Sequence, residues 1–160
     1  MSNYEKGVTV LDITSPSNPI EIGNFDTFPV SNNTSFNGAW GAYPYFPSGL
    51  VAVSDIDDGL FILQPNYVRA CYLEGKVTDA ITGANLNNVS VKITNTLSDE
   101  STDANGDYAT GFATAGTYNV TYSLFGYAQK TETVTLSNGI LTIKDVQLQP
   151  LQAFSLTGNV

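Results

Sequence analysis

The sequence predicts an all-β fold, and three observations support this. Thr, Ser, Asn, Gly, Val and Tyr dominate the 160 residues, whereas helix-favouring Lys, Arg and Met are scarce. No long stretch places apolar residues at the i, i+3, i+4, i+7 spacing of an amphipathic helix. Short runs instead alternate apolar and polar residues, as residues 89–93 and 118–124 do, and Gly-, Asn- and Pro-containing turns separate them.

Residues 1–66 predict a first unit of short strands joined by tight turns. The strand-like runs are residues 7–13, 20–25, 39–46, 50–54 and 60–64. Their content and spacing suit about one four-stranded sheet, as in a blade of a β-propeller. Because a single blade cannot bury both of its faces, we expect partial propeller blades whose neighbouring blades are missing.

Residues 67–150 predict a second unit, a small seven-stranded β-sandwich. The strand-like runs are residues 72–78, 89–95, 107–112, 118–124, 127–136 and 141–148. Asn105-Gly106 is typical of a type I′ hairpin turn, which needs two residues with positive φ. In the last run Leu141 and Ile143 have the opposite parity to Val146 and Leu148, which predicts a β-bulge near Lys144-Asp145.

Two further sequence features mark the ends of this second unit. Pro65 cannot donate to a strand ladder and favours an extended junction between the two units. Residues 72–77 and 155–160 share the pattern x-Leu-x-Gly-x-Val. Residues 151–160 are therefore interpreted as the start of a possible second sandwich copy.

Charge and residue content exclude several classes of function. The net charge of −9, with only six Lys and Arg, argues against nucleic acid and anionic lipid as partners. No apolar run is long enough for membrane insertion. The chain has no His, and Cys71 is its only Cys, so the sequence offers neither a Ser-His-Asp triad nor an internal disulfide. We expect Cys71 to be a small core residue, and we expect a secreted or cell-surface protein.

One acidic cluster is a candidate metal site. Asp55, Asp57 and Asp58 precede Gly59, and oxygen ligands at this spacing suit Ca²⁺. The alternative is an ordinary turn, because aspartate is a common turn residue and no bidentate Glu follows at loop position 12. No other cofactor is expected.

Two groups of aromatic residues are candidate carbohydrate platforms. Tyr122, Phe125 and Tyr127 could form one at an edge of the sandwich, with core and turn packing as the alternative. The second group lies in the first unit and has a blade core, or a face buried against missing blades, as its alternative. Its members are Trp40, Tyr43, Tyr45 and Phe46.

The first unit carries a family resemblance. The segment Val8-Thr9-Val10-Leu11-Asp12-Ile13 with Pro16 and Pro19 is similar to an LVIVP-type propeller repeat. Residues 40–49, with Ser54-Asp55 and residues 59–63, resemble the closing blade of the choice-of-anchor B family of secreted bacterial proteins. This resemblance implies that the first unit is the end of a propeller.

The second unit resembles the carboxypeptidase regulatory-like domain along its whole length. The matching segments are Gly75-Lys76-Val77-Thr78-Asp79, Thr82-Gly83, Thr102-Asp103-Ala104-Asn105-Gly106-Asp107-Tyr108, Gly116-Thr117-Tyr118 and Phe125-Gly126-Tyr127. The resemblance implies a prealbumin-like (transthyretin-like) sandwich, which is classed with carbohydrate-binding-like folds. It implies no activity, because the zinc ligands of the peptidases are absent.

These observations predict a non-enzymatic structural or interaction module of a secreted or cell-surface bacterial protein, serving as scaffold, spacer or adhesion domain. The expected partners are neighbouring propeller blades and sandwich repeats of the same full-length chain, with a polysaccharide or another surface protein as further candidates. Two alternatives stay open: a carbohydrate-binding module, and an accessory domain of a larger secreted hydrolase.

Overall fold

The computed structural model describes residues 1–29 and 36–152, and in these two ranges it contains strands and turns but no helix. Within the same ranges, no helix has the length and apolarity that crossing a membrane requires. The prediction of an all-β chain is confirmed. Residue contacts divide the chain into two units. The first is Met1–Ala70 with Phe112–Thr114, and the second is Cys71–Gly111 with the chain from Ala115 onward.

Among its described residues, the first unit contains five strands in two sheets. They are β1 (Val8–Asp12), β2 (Ile20–Phe25), β3 (Ala39–Tyr43), β4 (Val51–Asp55) and β5 (Gly59–Leu63). β1 and β2 form an antiparallel pair, and β3, β4 and β5 form an antiparallel sheet in that order. The strand positions follow the sequence pattern, but the single four-stranded sheet expected here is wrong, and the propeller blade stays a prediction.

The N-terminal residues form hydrogen bonds with strands of both sheets. Ser2 makes an isolated bridge to Val8, and Tyr4 makes one to Ala39, so this segment lies between β1 and β3. Tyr4 has φ of 50° and Gly7 has φ of 70°, which turns the chain before a ladder can form. The core of the unit is correspondingly small, with Val8, Ala39 and Val53 as its buried centre.

The second unit, as far as Gln152, contains eight strands in two four-stranded sheets. They are β6 (Cys71–Asp79), β7 (Ser90–Ile93), β8 (Asp99–Ser101), β9 (Asp107–Phe112), β10 (Gly116–Ser123), β11 (Lys130–Leu136), β12 (Leu141–Ile143) and β13 (Val146–Leu148). One sheet has the order β11-β10-β7-β8, and in the other β6 pairs with β9, β12 and β13.

The two sheets of the second unit form a sandwich around one core. Side chains of alternate residues in both sheets are buried, including Leu73 and Val77 in β6 and Val91 and Ile93 in β7. The sandwich prediction is confirmed, but with eight strands instead of seven. The six predicted runs become eight strands because the last run divides into β12 and β13, and because the short β8 was not predicted.

The hairpin predicted at Asn105-Gly106 is wrong. Gly106 has φ of 76°, but Asn105 is not among the residues with positive φ. The Asp103 carboxylate instead accepts hydrogen bonds from the amides of Asn105 and Asp107, at 2.8 and 2.9 Å. This turn connects β8 in one sheet to β9 in the other sheet. The two strands are therefore not hydrogen-bonded to each other, as the strands of a hairpin would be.

The bulge predicted near Lys144-Asp145 is also wrong. Leu141 pairs with Tyr72 and Leu148 pairs with Asp79, and the register is unchanged between β12 and β13. The strand keeps its alternation, so Leu141 and Ile143 point outwards and are 48% and 61% exposed. Two apolar side chains of β12 therefore remain exposed to solvent, and no extra residue is inserted between β12 and β13.

Candidate functional site

The three aspartates proposed as a calcium site form a capped turn between β4 and β5. Asp55 Oδ1 accepts hydrogen bonds from the amides of Asp57 and Asp58, both at 2.9 Å. Asp57 Oδ2 accepts the Gly38 amide at 3.1 Å. Burial raises the pKa of Asp55, but the Asp58 amide, the Thr27 side chain and the Asp57 amide together lower it overall. The turn therefore uses Oδ1 of Asp55 and Oδ2 of Asp57, while Asp55 Oδ2 is buried without a hydrogen-bond partner among the described residues.

Metal binding by these aspartates stays a prediction. In residues 1–29 and 36–152, no three His, Cys, Asp or Glu side chains converge as a metal ion would require. A calcium ion at this turn would therefore have to reorganise the Asp55 carboxylate, which already caps the turn.

The aromatic platform predicted at the edge of the sandwich does not form. Tyr122 is completely buried, because the period of β10 directs it into the core, so it is not a surface residue. Phe125 is fully exposed at the turn after β10. The Tyr127 hydroxyl donates a 2.8 Å hydrogen bond to Asp79 Oδ2. The three rings thus lie in three different environments, and only Phe125 offers a free face.

Asp79 and Tyr127 join two turns of the second unit. Asp79 Oδ1 accepts the amides of Ile81 and Thr82, at 2.7 and 2.8 Å. The Thr82 and Ile81 amides, together with the Tyr127 hydroxyl, lower the pKa of Asp79. The hydrogen bond between the Tyr127 hydroxyl and Asp79 raises the pKa of Tyr127. The role of Tyr127 in this structure is to hold the turn after β6 against the turn before β11.

The aromatic residues of the first unit lie largely on its surface. The Tyr43 ring packs edge-on against Tyr45 and Phe46, with centroids 5.6 and 5.0 Å apart. Trp40 packs in the same manner against Tyr4 at 5.9 Å. All five are exposed by more than a third of their surface, so they do not form a blade core within the described residues.

An apolar pocket of about 370 Å³ opens in the first unit. Phe25, Ile62, Leu63, Pro65 and Tyr67 contribute to its wall. Its volume is in the range of small-molecule sites, but its side chains include no charged group. The pocket is what two small sheets leave unfilled between them.

The most distinctive arrangement in the second unit is the pairing of its first and last strands, which we name the terminal seam. It consists of β6 with β12 and β13, and both pairings are parallel. At its midpoint Gly75 passes so close to the chain that an added Cβ would lie 2.1 Å from the Lys144 carbonyl oxygen. Only glycine fits this close approach.

Side chains bridge the gap between β12 and β13 in the terminal seam. The Lys144 amide donates to the Glu74 carbonyl at 2.8 Å, as a regular ladder requires. The Lys76 amide, next along β6, donates instead to Asp145 Oδ1 at 2.9 Å. The Tyr108 hydroxyl donates to the Lys144 carbonyl at 2.7 Å. A carboxylate and a phenol thus replace the missing backbone partners.

Tyr108 also connects the seam to the opposite sheet. Its hydroxyl lies 3.0 Å from that of Tyr122, and the two rings pack edge-on with centroids 5.8 Å apart. Burial raises the pKa of Tyr108 far above its ordinary value, and the Tyr122 hydrogen bond raises it further. Tyr108 therefore stays neutral and acts as a fixed donor within the core.

A charged cluster lies beside the seam. Glu132 on β11 contacts Lys130 at 3.1 Å and Lys144 at 3.0 Å. Its hydrogen bonds with Lys144 and Lys130 lower the pKa of Glu132. The cluster links β11 of one sheet to Lys144, the residue that follows β12 in the other sheet.

The parallel pairing fixes where the chain enters and leaves the second unit. Cys71 begins β6 at one end of the seam, and Leu148 ends β13 beside Asp79 at the other end. Eight residue steps at about 3.3 Å each separate these ends by roughly 26 Å. The unit therefore extends the chain in one direction.

Sequence reasoning missed Tyr108 and Asp145. The change of parity at Lys144-Asp145 was the available signal, but it was interpreted as an inserted residue.

The prediction for Cys71 is confirmed, since it is fully buried at the start of β6 and burial raises the pKa of its thiol. The proposed second copy at residues 151–160 lies, beyond Gln152, outside the described residues.

Residues 72–149 match the family described as the Carboxypeptidase regulatory-like domain. The matched segment runs from β6 to the end of β13, so it spans the terminal seam and both sheets. The sequence resemblance of the second unit is supported by this match. No curated protein matches the chain. The choice-of-anchor B resemblance of the first unit receives no support from these comparisons.

Several solved structures are similar at low identity. The minor pilin GBS52 of Streptococcus agalactiae is 12% identical, with 73% of this chain and 66% of that chain covered and a TM-score of 0.42. The group B streptococcus pilus 2b backbone protein is 15% identical, with 69% and 53% covered and a TM-score of 0.40. The shaft pilin spaA of Lactobacillus rhamnosus GG is 11% identical, with 92% and 88% covered and a TM-score of 0.42.

These TM-scores are too low to support an argument about this chain. The chain also spans only about two thirds of GBS52 and about half of the pilus 2b backbone protein.

Proposed function

We propose that this chain is a non-catalytic structural module of a secreted or cell-surface protein, in which the second unit serves as a spacer. One observation carries the proposal: the chain enters the sandwich at Cys71 and leaves it after Leu148 at the opposite end of the terminal seam. A unit with this path adds its own length to a chain of domains, whereas a unit with adjacent ends adds a side branch.

The core of the second unit supports this role. Its buried residues come from both sheets, so the unit has a hydrophobic centre of its own. The match to the Carboxypeptidase regulatory-like domain covers the same segment. The domain limits we propose are residues 1–66 for the first unit, 67–150 for the sandwich and 151–160 for the start of a further copy.

The spacer is tested by a distance and by a truncation. Spin labels at Val68→Cys and Gln152→Cys, in a Cys71→Ala background, should give a narrow distribution near or above about 26 Å. Residues 67–150 alone should unfold in one cooperative urea transition. A short or broad distance distribution, or a fragment without a cooperative transition, would contradict the proposal.

For the first unit we propose the end of a β-propeller of the choice-of-anchor B type. Its three-stranded sheet packs one face on Val8, while Leu60, Ile62 and Tyr43 on the other face are exposed and apolar. A blade has neighbours on both faces, so this distribution supports the proposal. The partners would be neighbouring blades of the same protein. If a longer version with the preceding residues left Leu60 and Ile62 equally open to solvent, the proposal would be rejected.

A second candidate function is an accessory domain of a larger secreted hydrolase. The description of the matched family, which names a carboxypeptidase, favours it. The two candidates differ in what lies outside this chain. A catalytic domain in the same full-length protein, with turnover that changes when residues 67–150 are deleted, would support the accessory role over the spacer.

Carbohydrate binding is left without a supporting observation in the sandwich. Only Phe125 of the three predicted aromatic residues is free to stack on a sugar, and a stacking site uses more than one contact. Binding of a polysaccharide that is lost on Phe125→Ala would revive this alternative. The spacer proposal also includes binding of another protein at the cell surface.

A further inference from the structure

We propose that the terminal seam is a mechanical clamp that lets the second unit bear tension along the chain. The inference deepens the proposed spacer function and rests on it, because a spacer between two anchored ends is a segment that can be pulled. Nothing in the family match describes resistance to force, so the proposal comes from the strand directions.

The strand directions place the seam under shear. Tension enters at the start of β6 and leaves at the end of β13, at opposite ends of two parallel strands. The pull therefore runs along the strands, while the hydrogen bonds run across them. The hydrogen bonds of all six residue pairs in the seam must therefore break together before the strands separate. Breaking them simultaneously has a higher free-energy barrier to unfolding than breaking them one after another.

Contacts beyond β13 would take the first part of the load. The Ala128 amide donates to the Gln149 carbonyl, and the Leu151 amide donates to the Gly126 carbonyl, both at 2.8 Å. These bonds tie the departing chain to the turn before β11. They are few and lie at the edge, so we expect them to yield before the seam does.

The side chains at the seam's midpoint complete the clamp. Without Asp145, the Lys76 amide would have no partner on the opposite strand, and the seam would be two short ladders of three pairs each. Asp145 and Tyr108 connect the two ladders, so that they resist sliding as one. The hydrogen bond from the Lys76 amide to Asp145 Oδ1 lies at the surface, so water can replace it in the absence of tension. Under tension, a water molecule in this place would not hold the two strands together.

The test is single-molecule unfolding of the full chain in two pulling directions. Cysteine handles at Val68 and Gln152, in a Cys71→Ala background, load the seam in shear. Handles at Val68 and Ile140 pull the starts of β6 and β12 apart at one end, because these strands begin side by side. Both pairs exclude the first unit from most of the load.

We expect unfolding at several-fold higher force between residues 68 and 152 than between residues 68 and 140, at equal pulling rate. Forced unfolding reports the unfolding rate, so the difference measures the barrier and not the equilibrium stability. Equal forces in the two directions would overturn the proposal. That outcome would leave the spacer intact if the spin-label distance stays long and narrow.

Three variants locate the clamp within the seam. Asp145→Ala should lower the 68/152 force with little change in the urea midpoint, whereas Asp145→Asn keeps an oxygen acceptor and should retain most of the force. Asp99→Ala removes a carboxylate of similar exposure from β8, outside the seam, and should change neither value. A 68/152 force unaffected by Asp145→Ala would overturn the role of Asp145.

Discussion

The two units use the same kinds of residue but bury them to very different extents. Of the twelve largest fully buried side chains among the described residues, only Val53 belongs to the first unit. The second unit closes two four-stranded sheets on each other, whereas the first has sheets of two and three strands. The comparison shows that a core depends on sheets having enough strands to cover each other.

The largest expected effect separates the two units. Leu73→Ala empties a fully buried site in β6 and should reduce the stability of the second unit by about 2–5 kcal/mol. Trp40, the only Trp, lies in the first unit, so its fluorescence reports that unit alone. Urea unfolding should show an earlier far-UV circular dichroism transition with an unchanged Trp40 transition. If the Trp40 transition moves equally, the units are not independent.

The next effect concerns the polar contacts within the sandwich core. Tyr108→Phe removes the hydroxyl that contacts Tyr122 and donates to the Lys144 carbonyl. Unpaired buried groups cost about 1–3 kcal/mol, so the urea midpoint of the second unit should fall accordingly. Phe61→Tyr in the first unit is the matched control, because Phe61 is only partly buried and makes no such contact. A Tyr108→Phe midpoint within error of the parent would contradict the bridging role.

Acid should weaken the second unit more than the first. The pKa values of Asp79, Asp103 and Glu132 are lowered in the folded chain by hydrogen bonds, in Glu132 chiefly from Lys144. A group with a lowered folded pKa stabilises the fold above its unfolded pKa, near 4, and loses that contribution as pH falls through the folded pKa.

Urea midpoints of both transitions, measured from pH 6 to pH 2, check this prediction. The far-UV midpoint should fall steeply below about pH 4. We expect the Trp40 midpoint to fall less, because protonating the three carboxylates of the second unit should together cost more stability than protonating Asp55 in the first unit. Parallel decline of both midpoints would show that the pH dependence is not set by these three groups.

The smallest effect is expected on the exposed face of the first unit. Leu60→Lys replaces an exposed apolar residue of β5 and should change the free energy of unfolding by less than about 0.5 kcal/mol. The measurement is the Trp40 transition in urea, with sedimentation velocity to detect any change in association. A loss of 2 kcal/mol or more would mean that this face is covered in solution.

Sequence pattern was sufficient for strands whose two faces differ in environment. Period-2 alternation located β10 and β11, and the turn residues before Gly59 located the boundary between β4 and β5. The pattern was insufficient where an apolar residue stays exposed, as at Leu141 and Ile143. The preference of apolar side chains for burial is statistical, so parity alone does not reveal a register.

The candidate site was recovered only in part. Gly75 and Lys76 were identified as part of a family motif, but their partner Lys144-Asp145 was assigned to a bulge. For Tyr122 the sequence left two interpretations open, a surface platform and core packing, and the structure places it in the core. Contacts between residues 76 and 145 connect positions far apart in sequence, and no local pattern encodes them.

The sequence by itself determined the all-β class, the absence of His and the positions of most strands, because these depend on composition, local preference and residues two positions apart. The tertiary structure decided which strands pair, that the first and last strands of the sandwich run parallel, and that Asp145 and Tyr108 bridge their gap. Those features depend on contacts across the fold, where the free energy of burying a shared core selects one arrangement among several that the local pattern permits.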